Sequence, residues 1–302
     1  MKKILSVLVS SLAIVILISC FIKATPSTKK TGESYIIKAI KHPKDLWFAN
    51  ETVPVHQHDI KERVDREFLV NTYWQSNGLL LIKRSKKFFP IIEPILKKNN
   101  IPDDFKYLAV IESGLQNVTS PAGAKGFWQL MPATAKEYDL EVNSNVDERY
   151  HLEKATQAAC QYLLKAKEEF GTWTAAAAAY NVGINGLKRR LEEQKVNSYY
   201  DVLLPDETSR YIPRIIAIKE ILSKPYDYGF MFDQKDLYTL PPHKTVQVDT
   251  VIQNIADFAL DFETNYKELK ILNPWLRENR LNNASRKLYE IKIPTEKAIV
   301  NN

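Results

Sequence analysis

Apolar and polar positions follow a helical rhythm over most of this chain. In "DIKERVDREFLVNTYWQ" (59–75) and "FFPIIEPILKKN" (88–99) apolar residues recur three and four positions apart, predicting amphipathic helices within a region from Leu46 to about Asn100. The run "LLLI" at 79–82 reads as core. A second, alanine-rich helical block covers 101–225, and its glycines, among them Gly114, Gly123, Gly126 and Gly183, fall between helices. After Lys224-Pro225 the rhythm breaks: "YDYGFMFDQKDLYTLPPHKTV" is aromatic and turn-rich, as in a linker with short strands. Strand, helix, helix and strand then follow in "TVQV", "TVIQNIADFAL", "NYKELKILN" and "KLYEIKIP". The fold class is therefore mainly α (α+β).

The N-terminus stands apart. Lys2 and Lys3 precede an apolar run from Ile4 to Ile18, short for a bilayer span and typical of a secretory leader. It ends in "LISC", which resembles the lipobox of bacterial lipoproteins and implies lipidation at Cys20. The expected organisation is a signal peptide at 1–20, a flexible tether at 21–43, an N-terminal helical region at 44–100, an alanine-rich helical domain at 101–225, a linker at 226–245 and a small module at 246–297. A lipid at Cys20 would anchor the chain to a membrane without crossing it. Phe21, where some bacteria use aspartate for inner-membrane retention, favours the outer membrane and a periplasmic location in the cell envelope.

Charge and cysteine content narrow the partners. The net charge of +6 falls to +4 without Lys2 and Lys3, too mild for nucleic acid but compatible with an anionic wall polymer. Cys160 is the only cysteine besides Cys20, so it reads as a buried apolar residue on a helix rather than half of a disulfide. His56 and His58 are the only close histidine pair and have no third ligand nearby, so neither a metal nor another cofactor is expected. Oligomeric state is not legible.

The chemistry centres on one carboxylate. Pro102, Asp103 and Asp104 suit a helix start, proline in the first turn and acids at the positive end of the dipole. Phe105, Leu108, Ala109 and Glu112 then share one stripe of that helix, and Gly114 stops it. Glu112 is thus expected partly desolvated and near the negative helix end. Both effects raise its pKa and favour a protonated acid near neutral pH. From Ser113 to Lys136 there is no Asp or Glu.

The segment "ESGLQNVTSPAGAKGFWQLMPATA" resembles the glutamate-serine and glycine-aromatic-glutamine motifs of the soluble lytic transglycosylase domain. "AAAAAYNVG" is similar to that family's Ala-Tyr-Asn motif, and "ETSRYIPRIIA" to its Glu-Thr-x-x-Tyr segment. The resemblance implies a lysozyme-like fold and a peptidoglycan substrate. It implies Glu112 as the catalytic residue and a cleft lined by Ser120, Gln129, Tyr180, Asn181, Glu207 and Tyr211. Gly123, Ala124 and Gly126 would let a sugar approach the backbone, and Trp128 would stack on or buttress a sugar face.

Glycosidases normally use two carboxylates, about 5 Å apart when retaining and roughly 6.5–9.5 Å apart when inverting. A lone Glu112 acting first as acid and then as base fits an intramolecular acceptor, the sugar's own O6. The expected reaction is non-hydrolytic cleavage between N-acetylmuramic acid (MurNAc) and N-acetylglucosamine (GlcNAc), leaving 1,6-anhydro ends. A lysozyme-type hydrolase using Glu112 with Glu207 and a non-catalytic wall-binding lipoprotein are the alternatives. Residues 246–294 resemble a LysM domain, a βααβ module that binds GlcNAc-containing glycans, through Asp249-Thr250, Ile255-Ala256, Leu269, Asn273 and "IKIP". Val248 replaces the usual glycine before the Asp-Thr pair, which leaves a binding role and a purely structural one both open.

Overall fold

A computed structural model describes residues 37–295, so the leader, Cys20 and most of the tether lie outside the described residues. The first elements are two short strands, β1 (Trp47–Phe48) and β2 (Glu51–Thr52), paired antiparallel. Ala49 and Asn50 link them with φ of 50° and 64°. Two consecutive positive φ values match the right-handed twist of a tight hairpin. This hairpin stands where helix was expected from Leu46; Ala-Asn is a weak turn signal, which hid it.

Helices α1 (His58–Tyr73) and α2 (Gln75–Lys98) follow, separated only by Trp74. Pro90 and Pro94 lie inside α2 one turn apart, both on its exposed face, where the carbonyls they leave unbonded can be hydrated. A 3₁₀ turn at Asp103–Phe105 leads into α3 (Lys106–Ser113), which ends at Gly114 in the left-handed conformation (φ 60°) as expected. Asp103 and Asp104 are structural. Asp103 pairs with Lys106 at 2.6 Å; Asp104 pairs with Lys219 at 2.7 Å and accepts from the Ala49 N–H.

After α4 (Pro132–Glu137) come α5 (Leu152–Phe170) and α6 (Trp173–Val182). Ala175 to Ala179 are all buried, and these small side chains let α6 pack closely on α5. Glu51 of the hairpin accepts from the Trp173 and Thr174 N–H groups at 2.6 and 2.8 Å, placing a carboxylate on the positive end of α6. Cys160 is buried on α5, as expected. Beyond α7 (Ile184–Gln194) and the single turn α8 (Asp206–Ser209), α9 (Tyr211–Ser223) runs through the core against α1, α3 and α6, with eight of its side chains buried.

The linker folds back on α2. Phe230 packs over Gly78, where a Cβ would come within 2.4 Å of its ring, and the Tyr238 N–H donates to the Lys83 carbonyl. The C-terminal module is βααβ: β3 (His243–Val248), α10 (Ile255–Asp261), α11 (Tyr266–Leu272) and β4 (Tyr289–Pro294), with β3 antiparallel to β4 from His243↔Pro294 to Val248↔Tyr289. Val146 and Tyr150 of the helical body are buried in this module's own core, beside Trp275, Leu276 and Tyr289. The Asp147 N–H donates to the Trp275 carbonyl, and Asn145 bonds Arg280 and Asn282. From Ile40 onward the chain is one unit.

Candidate active site

Helix α3 delivers Glu112 into a groove of about 490 Å³ walled by Glu67, Trp74, Gln116, Arg210 and Arg214 among others. Ser113 locks the turn behind it. Its buried hydroxyl donates to the Ala109 or Phe127 carbonyl, at 3.1 and 2.9 Å, and accepts from the Gln116 N–H. Burial pushes the Glu112 carboxyl up to about 7. Glu207's negative charge adds to the rise, while the Tyr211 hydrogen bond and the Arg214 charge oppose it. Tyr211, at the start of α9, donates its hydroxyl to Glu112 Oε1. Burial and the Glu112 charge hold that phenol well above its ordinary range, so it stays a donor.

Tyr180 ends the alanine-rich run of α6. Its hydroxyl donates to the Trp128 carbonyl at 2.7 Å, and burial again holds it protonated. Asn181 accepts from the Thr208 hydroxyl at 2.7 Å, tying α6 to α8. Glu207, on α8, is exposed and acts on Glu112 through its charge alone.

The acid-free segment after Glu112 is a loop braced by its own polar groups. The Ser120 hydroxyl accepts from the Ala124 N–H at 3.0 Å, and the Gln129 amide donates to the Gly126 and Val118 carbonyls. Beneath it the buried Arg149 donates to the Gly123 and Leu130 carbonyls and is neutralised by Asp147 at 2.8 Å. Gly126 is close to backbone, not to open groove: at φ 79° an added Cβ would lie 2.0 Å from the Arg149 carbonyl oxygen. Trp128 is fully buried and donates to Thr156, so it supports the site from beneath and has no face free for a sugar.

Two features had no sequence signature. Trp74, 58% exposed in the one-residue break between α1 and α2, offers an indole face to the groove. Glu67, 1% exposed, is held by Arg66 at 2.5 Å, Arg210 at 3.2 Å and Arg214 at 3.3 Å. It is a second carboxylate in the groove wall, and three guanidinium groups engage it.

Comparison with known proteins agrees with this geometry. The Transglycosylase SLT domain family matches residues 89–202, and the Soluble lytic transglycosylase C-terminal LysM-like domain matches residues 244–297. Membrane-bound lytic murein transglycosylase D of Escherichia coli (strain K12) is 30% identical over 159 residues, 51% of this chain. The match spans only 35% of that relative's length. Putative tributyltin chloride resistance protein of Alteromonas sp. (strain M-1) is 29% identical over 213 residues, 68% of this chain and 95% of the relative. This chain thus carries a transglycosylase SLT domain followed by a LysM-like C-terminal domain, and it is homologous to membrane-bound lytic murein transglycosylase D.

Proposed function

We propose that the protein is a peptidoglycan lytic transglycosylase that cleaves the β-1,4 bond from MurNAc to GlcNAc without water, with Glu112 as its only acid and base. The observation that carries this reading is Glu112 itself: a half-buried carboxyl lifted by desolvation to about 7, with its one neighbouring groove-wall carboxylate, Glu67, tied up by arginines.

Near neutral pH a large share of Glu112 is protonated. It gives that proton to the glycosidic oxygen as the C1–O bond breaks, and the GlcNAc leaves as an alcohol. The substrate's N-acetyl carbonyl stabilises C1. Glu112, now charged, takes the proton from the MurNAc O6 hydroxyl while that oxygen bonds to C1. The 1,6-anhydro ring closes, Glu112 is again protonated, and no water is consumed. Tyr211 and Arg214 stabilise the carboxylate between the two transfers, in a groove where such contacts count for more than in water. Ser120, Gln129, Tyr180, Asn181, Glu207 and Tyr211 are proposed to form or brace the cleft, with Trp74 as a stacking face.

Glu207 is the observation favouring a hydrolytic reading, since its charge reaches Glu112. The two readings differ in product. Digests of sacculi should contain 1,6-anhydromuramyl ends and Glu112→Gln should abolish them; new reducing ends lost with Glu207→Gln would establish hydrolysis instead. Peptidoglycan strands are the proposed partner of both domains. The relative's name, membrane-bound, supports association with the envelope, and a lipid at Cys20 would supply it. Among the described residues no helix is long and apolar enough to cross a membrane.

A further inference from the structure

A second cavity, of about 330 Å³, lies between α2 and the LysM-like module. Phe88, Leu115 and Trp275 give it apolar walls, and Arg84 and Lys87 of α2 bring two cations to it. Gln116 lines both this cavity and the groove that holds Glu112, so the two depressions meet across the loop that follows the acid.

The cations lack counter-charges. Arg84 donates to the Gly114 carbonyl at 3.1 Å, and the Lys87 ammonium stands 5.2 Å from the centre of the Phe88 ring. Among the described residues neither forms an ion pair with a carboxylate. The cavity's own acid, Glu153, is taken by Lys292 and by His151 at 3.3 Å. The unbalanced charge is therefore positive. Burial also pushes the Lys87 ammonium below its ordinary range, and a bound anion would reverse that.

We propose that this cavity binds the peptide stem carried by MurNAc, an anionic oligopeptide whose carboxylate is received by Lys87 and Arg84. The proposal rests on the peptidoglycan reading above. Reach supports it: Gln116 is four residues past Glu112, at most about 14 Å along an extended backbone, a span that an extended stem of about four residues also covers. Charge complementarity and apolar walls suit a peptide with small side chains and free carboxylates. The volume lies within the range of small-ligand sites.

Calorimetric titration of the full chain with muramyl tetrapeptide, which has no glycosidic bond to cleave, tests this apart from catalysis. The free-acid form should bind at least about tenfold more tightly than the fully amidated form. Lys87→Glu and the milder Lys87→Gln should each remove most of that advantage, leaving the amidated form unchanged. Equal binding of the two forms, or an advantage that survives both substitutions, overturns the proposal. Anhydro ends from digested sacculi, and their loss with Glu112→Gln, report separately on the catalytic reading. Their absence would reject that reading while the titration still decides the cavity.

Discussion

Desolvation raises the Glu112 carboxyl to about 7, and the groups around it act in opposite directions: Tyr211 and Arg214 lower it, Glu207 raises it. Activity should fall as pH rises through about 7, where the acid form disappears. Tyr211→Phe removes a bond that stabilises the carboxylate, so the alkaline limb should move to higher pH. Glu207→Gln removes a repelling charge and should move it lower. Rate profiles of the two variants check both signs. The same shift affects stability: the folded carboxyl titrates at about 7 against 4.5 for the unshifted group, so ionisation of the unfolded chain costs stability between those values. Glu112→Gln should therefore unfold at a higher temperature near pH 8, by up to about 3 kcal/mol in free energy, and match the parent near pH 4. Glu112 was legible in the sequence because its stripe and its stop at Gly114 are local. Glu67 was not: Arg210 and Arg214 lie 143 and 147 residues away, and "DREFLV" shows only another charged residue on a helix.

Helices α1 and α2 and the βααβ order of the module could be read from periodicity, because each is an amphipathic element with its own signal. Loop bracing could not, since it depends on what the fold brings underneath. Gly126 was expected to admit a sugar, yet its freedom serves a backbone crossing with Arg149. Gly126→Ala should accordingly destabilise the protein by about 3 kcal/mol or more, through both positive φ and overlap, as chemical denaturation would register. Trp128 and Trp74 exchange roles for a similar reason: burial is decided by packing, not by a motif. Trp74→Ala should raise KM for glycan strands several-fold with little change in kcat, whereas an equal loss in kcat would deny it a binding role.

The chain reads as two modules in sequence, yet Val146 and Tyr150 of the helical body complete the core of the LysM-like one. That union was illegible because residues 141–153 carry no pattern marking them as a docking surface. The body and the module should unfold in a single calorimetric transition, and Trp275→Ala should lower its midpoint by several degrees without splitting it. The groove and the second cavity share Gln116, and Trp275 of the docked module lines the second; in the proposed function a wall strand would run along them past Glu112. In the proposed reaction no water enters the chemistry. Digestion of sacculi in heavy-oxygen water, read by mass spectrometry, should give muropeptides with anhydro ends and no heavy oxygen at C1. Reducing ends carrying the label would contradict it.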